Sequence, residues 1–169
     1  MKTLFLLRHA KSGWNEGGQD DHDRTLTARG RRAAELVGLY VAQRGDPPSL
    51  ALCSTARRAL ETLEPLRRRL GVPFEADRAL YLAEPDAILA RIADVDDRES
   101  GVLVVGHNPG LHELGTLLAG AGDGEARARL REGFPTAALA ILQLDIERWD
   151  EIRARCGTLA ELRVPKDLV

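Results

Sequence analysis

Two hydrophobic rhythms alternate along the chain. Short runs of apolar or β-prone residues stand at Thr3–Leu7, Leu50–Cys53 and Val102–Val105, and a longer, mostly apolar one at Ala137–Leu144. Runs of this length without polar interruption read as strands buried on both faces. Between them the apolar positions fall at helical spacing. Ala33, Val37, Tyr40 and Val41 make a stripe for a helix from Ala28 to about Arg44, with Thr27 as its cap and Gly45 as its stop. A second helix follows the run at 50–53, capped by Ser54 or Thr55, with Ala59, Leu60 and Leu63 inward; Pro65 is expected to kink or end it. Pro85–Ala93 turns Ile88, Leu89 and Ile92 inward, and Leu111–Ala119 does the same with Leu111, Leu114 and Leu118. Short strands are expected near Pro73–Glu75 and Leu159–Val164, and 120–135 reads as a polar loop. Strand and helix patterns in alternation predict an α/β fold with a mostly parallel sheet. Nothing in the sequence marks a repeat or a linker, so 1–169 is expected to form one domain.

Reactive side chains sit where strands end. The first run leads into Arg8 and His9, the second into "STARR" with Arg57, and the third into "GHN" with His107. In open α/β sheets, sites form at the carboxyl ends of strands. Two guanidiniums and two imidazoles around one cavity repel each other unless an anion joins them. A phosphoryl group suits such a cavity, since guanidinium forks match its oxygens. Each residue alone has a plainer reading: Arg8–His9 as a surface pair, His107 as a core histidine, Arg57 as part of a solvated helix face. The joint pattern outweighs these.

Composition narrows the chemistry. The chain has 24 basic and 26 acidic residues and a net charge of -2, so no broad basic field suggests nucleic acid. Its apolar runs are too short to span a membrane, and "TLFLL" is too short for the apolar core of a signal peptide. Cys53 and Cys156 show no metal or disulfide pattern, so a reducing cytoplasm is the expected setting. A cysteine phosphatase would need an arginine six residues after Cys53, where Ala59 stands, and no P-loop motif is present. The stretch Asp20–Asp21–His22–Asp23 has metal-binding residue types but reads more readily as a solvated loop, and His107 and His112 lack the spacing of paired helix ligands.

Together, "LFLLRHAKSGWN", "STARRALET" and "VVGHNPGL" resemble the three motifs of the histidine phosphatase superfamily, which has the phosphoglycerate-mutase-like fold. With "DHDRTLTARG", "GHNPGLHEL", "FPTAALAIL" and Trp149, the chain is similar to the small SixA-like phosphohistidine phosphatases from Leu4 to about Pro165. The resemblance implies a three-layer α/β/α sandwich. It implies that His9 is a transiently phosphorylated nucleophile, and that Arg8, Arg57 and His107 bind phosphoryl oxygens. Asn15 and Asn108 join the phosphate-binding set on the same ground. Ala10 and Thr25 stand where the family pattern has Gly and Pro. Glu84, in "LYLAEP", is the nearest match to the acid carried by larger members.

Arginines that neutralise the phosphoryl group remove the need for a metal, so no cofactor is expected. A poor leaving group calls for a general acid, whereas an imidazole, with a pKa of about 6.5, departs readily. The expected activity is removal of phosphate from phosphohistidine on a phosphorelay or phosphocarrier protein by a monomer. The alternatives are a phosphatase for small phosphoesters and a non-catalytic module that binds phosphorylated proteins.

Overall fold

The computed structural model describes residues 1–14 and 18–169. Its centre is a seven-stranded sheet made of β1 (Lys2–Arg8), β2 (Leu50–Ser54), β3 (Phe74–Asp77), β4 (Gly101–Gly106), β5 (Ala119–Gly122), β6 (Leu139–Leu144) and β7 (Gly157–Arg163). The strand order is β3-β2-β4-β1-β6-β7-β5. The first four strands in that order pair parallel; β6 is antiparallel to β1 and to β7, and β5 runs parallel to β7.

The unbroken apolar runs are explained by burial on both faces. Along β1, Leu4 and Leu6 point into one core and Phe5 and Leu7 into the other. The first core is closed by α3 (Pro85–Ala93), α4 (Gly110–Leu118) and α5 (Gly124–Glu132), through Ile88, Ile92, Leu111, Leu114 and Leu130. The second is closed by α1 (Ala28–Ala42) and α2 (Arg57–Leu70), through Val37, Val41, Leu63 and Leu66. The result is an α/β/α sandwich with a mostly parallel sheet. Each buried Leu or Val contributes roughly 1.5–3 kcal/mol relative to exposure.

Three local expectations need correction. Pro65 does not end α2, which runs on to Leu70. The proline is buried against Gly38 of α1, where a Cβ would lie 3.0 Å from its ring. Packing of the two helices offsets the lost backbone hydrogen bond. The cap of α2 is Ala56, with no side-chain acceptor; Ser54 Oγ instead accepts from Ala56 N at 3.1 Å. Finally, 120–135 is not a loop but holds most of β5 and all of α5. Asp123 caps α5 by accepting from Ala126 N at 2.9 Å. Leu130 is its one buried residue, so no apolar stripe announces the helix. In β5, Gly120 lets Arg155 approach, since a Cβ there would lie 2.4 Å from the Arg155 carbonyl oxygen.

The sheet order decides where the reactive residues meet. β2, β4 and β1 are neighbours and parallel, with Cys53 opposite Val105 and Arg8 opposite Gly106. Their carboxyl ends therefore lie side by side. His9 N donates to Gly106 O at 3.0 Å and holds the first chain segment beyond the sheet against the third.

Candidate active site

His9 and His107 face each other across this edge, with ring centroids 5.2 Å apart. Both are buried. His9 Nδ1 lies 2.7 Å from the Ala10 carbonyl oxygen, which can only accept, so Nδ1 carries the proton and Nε2 keeps its lone pair. His107 is held at both nitrogens, Nε2 by Ser54 Oγ at 2.8 Å and Nδ1 by Arg58 Nη2 at 3.4 Å.

The arginine beside the histidines is therefore Arg58 and not Arg57. Arg58 is only 2% exposed. Its guanidinium donates to the Asp21 carbonyl at 2.6 Å and to the Asp21 carboxylate at 3.0 Å. Arg57, in contrast, has a side chain 63% exposed and, among the described residues, pairs only with Glu61, at 3.8 Å. Helical phase separates the two. The buried stripe of α2 is Arg58, Ala59, Thr62, Leu63 and Leu66, and one residue back the direction rotates by about 100° into solvent.

Arg8 lies at the end of β1, where Nη1 donates to Phe134 O at 3.2 Å. Asn108 Nδ2 donates to the same carbonyl at 2.7 Å, which brings both residues to one segment. The Nε atoms of Arg8 and Arg58 and Oδ1 of Asn108 are buried without a hydrogen-bond partner among the described residues. Buried donors are normally satisfied, and two free guanidinium N–H groups beside paired imidazoles suit an oxyanion. Asn15 lies outside the described residues. Glu84 is an exposed residue at the start of α3, and among the described residues its side chain makes no hydrogen bond or ion pair with the site.

Burial sets the charge state of the histidines. It lowers the pKa of His9 to about 4, helped by the positive charges of Arg58, Arg8 and Arg24, although the Ala10 carbonyl pulls the other way. His107 falls to about 3, again through burial first and then the charges of His9 and Arg58. Both rings are thus neutral at pH 7. Burial and the charge of Arg58 also lower the pKa of Arg8.

Several positioning groups escaped the sequence reading. Asp21, in the acidic stretch, acts as a clamp. Its carboxylate takes hydrogen bonds from Tyr81, Arg58 and Arg24, which hold its pKa down at about 2. Tyr81 stacks edge-on to His107 at 5.4 Å between centroids and to His22 at 4.8 Å. Thr62 Oγ1 donates to Arg58 O at 2.7 Å and accepts from Ala10 N at 2.9 Å, so it ties α2 to the His9 segment. A polar Thr62 at i+4 from Arg58, inside an otherwise apolar stripe, is the sequence signal that singles out Arg58.

Comparison with known proteins places the fold in a family. Residues 4–81 match the model of the histidine phosphatase superfamily, branch 1. An uncharacterized protein of Mycobacterium leprae is 34% identical over 164 residues, 95% of this chain and 100% of the relative. A provisionally assigned phosphohistidine phosphatase SixA from Nakamurella multipartitia superposes with a TM-score of 0.84 at 31% identity, covering 97% of this chain and 96% of that one. A second provisional SixA, from Agrobacterium tumefaciens, gives 0.79 at 31% identity, with 97% and 99% covered. The chain belongs to the histidine phosphatase superfamily, among its SixA-like members.

Proposed function

We propose that the protein removes phosphate from phosphohistidine on a phosphorelay or phosphocarrier protein, through a phosphoryl group carried on His9. The carrying observation is the His9 ring, buried, neutral, and protonated on the nitrogen that faces a backbone carbonyl. Its Nε2 lone pair attacks phosphorus, and the bond from phosphorus to the substrate nitrogen breaks. The departing ring, already protonated on its other nitrogen, keeps that electron pair and leaves as neutral imidazole. The Ala10 carbonyl stabilises the positive ring that forms on His9. Water then forms a P–O bond, the P–Nε2 bond breaks, and phosphate and a proton are released. Arg8 and Arg58 would hold the phosphoryl oxygens, and His107 Nε2–H would join them by exchanging Ser54 Oγ for one of those oxygens, because charge stabilisation and positioning carry most of phosphoryl-transfer catalysis.

The leaving group supports the substrate. Among the described residues, the carboxylate at the site is Asp21, and its low pKa keeps it ionised at neutral pH. An ionised carboxylate cannot donate a proton, and an alkoxide leaves poorly without one. An imidazole does not need that help. The provisional assignment of both SixA relatives points the same way. Cys53 and Cys156 are free and buried, which fits a cytoplasmic setting.

The test is a side-by-side rate comparison on a phosphohistidine protein and a panel of phosphate esters, with acid-labile phosphoenzyme trapped on His9. Faster turnover of the esters, or phosphate trapped elsewhere, would refute the proposal. Binding of the phosphorylated protein without any turnover would favour a non-catalytic module.

A further inference from the structure

A cavity of about 460 Å³ lies beside the histidine pocket, with Lys11, Arg29, Arg32 and Lys166 around it and no Asp or Glu among its lining residues. All four cations are exposed, and none has a hydrogen-bonding or ion-pairing side-chain partner among the described residues. In a chain with net charge -2 that is a marked local excess. Several other surface arginines are paired, such as Arg68 and Arg69 with Glu35.

Fold stability does not account for the cluster. Arg29 and Arg32 lie in the first turns of α1, whose cap is Thr27 and whose first turn holds no acid. Cations at that end oppose the helix dipole. The spacing is nonetheless orderly: Arg29, Arg32, Ala33 and Leu36 fall at i, i+3, i+4 and i+7, one face of the helix, and all four line the cavity. The cavity is also joined to the pocket. Lys11 follows His9 by two residues, and its carbonyl accepts from Thr27 N at 2.9 Å. The opposite wall includes Pro135 and Thr136, next to Ala137, whose N–H lies 3.1 Å from both the Arg8 and the His9 carbonyl.

We infer that this groove is a docking surface for an acidic segment of the protein that carries the phosphohistidine. The inference rests on the phosphohistidine reading above. Its charge complements acidic side chains, and its volume suits several side chains rather than a single anion. Apolar walls from Leu36 and Val164 would take the stems or apolar neighbours of those acids.

Two phosphohistidine peptides test it, one with Asp and Glu around the phosphohistidine and one with Ser and Gln. Wild type should favour the acidic peptide by about tenfold in kcat/KM at low salt, chiefly through KM, and the preference should fade as salt rises. The double substitution Arg29→Gln and Arg32→Gln should erase the preference while leaving the neutral peptide and an aryl phosphate unchanged. Equal rates on the two peptides in wild type, or an equal loss on both in the variant, would overturn the groove. If wild type cleaves neither peptide, the phosphohistidine reading fails separately, and the groove is judged by binding of a fluorescent, unphosphorylated Glu-rich peptide. Binding lost in the double variant supports the surface. No binding, or tighter binding of an RNA oligonucleotide of equal length, overturns it.

Discussion

The histidine pocket and the groove beside it are both cationic, and they differ in every other electrostatic respect. Arg58 is buried and fixed by Asp21, and its charge helps push His9 and His107 far below the usual histidine range. Lys11, Arg29, Arg32 and Lys166 are exposed and line a groove with no carboxylate among its described lining residues. In water their charges are screened within roughly 8–10 Å at ordinary salt. The difference separates two uses of positive charge. A desolvated, oriented guanidinium stabilises a transition state because nothing must reorganise when charge develops. A hydrated one steers and holds a partner weakly, reversibly and with strong salt dependence.

The largest expected effect lies at the nucleophile. His9→Ala should lower turnover at least about 10⁴-fold and abolish phosphoenzyme trapping, as loss of a covalent catalyst does. Steady-state rates, with the phosphoenzyme trapped by quenching in alkaline denaturant, would read both, and substantial residual turnover would remove His9 from the chemistry. Arg58→Ala comes next, at roughly 10²–10³-fold in kcat/KM, the loss typical of one preorganised donor. Arg57→Ala should stay within about twofold, since its exposed side chain pairs only with Glu61 among the described residues. A reversed order for these two arginines would break the contrast between buried and solvated charge.

Acid stability sharpens the same contrast. His9 has a folded pKa of about 4 against an unfolded value of about 6.5. Between those values the unfolded chain binds more protons, so stability falls as pH falls through that window. The contribution lost is about 3 kcal/mol. Asp21 acts in a lower window, because its depressed pKa of about 2 keeps its stabilising role until the pH drops below the unfolded carboxylate value. Urea unfolding of wild type and His9→Gln at pH 7 and pH 4.5 measures this. The wild type should lose more stability than the variant, and equal losses would mean that His9 is not held neutral by burial.

Much of this arrangement is legible in the sequence, for definable reasons. The double-sided burial of β1 and β4 leaves apolar runs with no polar interruption, so their ends, and with them His9 and His107, are conspicuous. α5 is not conspicuous, because it buries only Leu130. Choosing Arg58 over Arg57 depends on a 100° difference in helical phase, which Thr62 and Ala59 encode but the charge run conceals. The Asp21 clamp depends on a contact across 37 positions of the chain, which local pattern does not carry.

The smallest expected effect is at Glu84. Its backbone carbonyl accepts from Ala87 N and Ile88 N at the start of α3, and its exposed side chain adds no cap bond. Glu84→Gln should therefore leave both the fold and the phosphohistidine reaction nearly unchanged. On a phosphohistidine peptide the change should be well under tenfold, less than about 1.4 kcal/mol in barrier height. Leaving-group dependence gives a second measure. If departure receives little protonic help, aryl phosphates should react faster than alkyl ones, and the slope of rate on leaving-group pKa should be the same in wild type and Glu84→Gln. A loop movement that brought Glu84 to the substrate would show itself here as a steeper slope in the variant. If wild type cleaves an alkyl phosphate far better than a phosphohistidine peptide, and Glu84→Gln destroys that activity, then Glu84 is the general acid and the substrate is a small phosphoester.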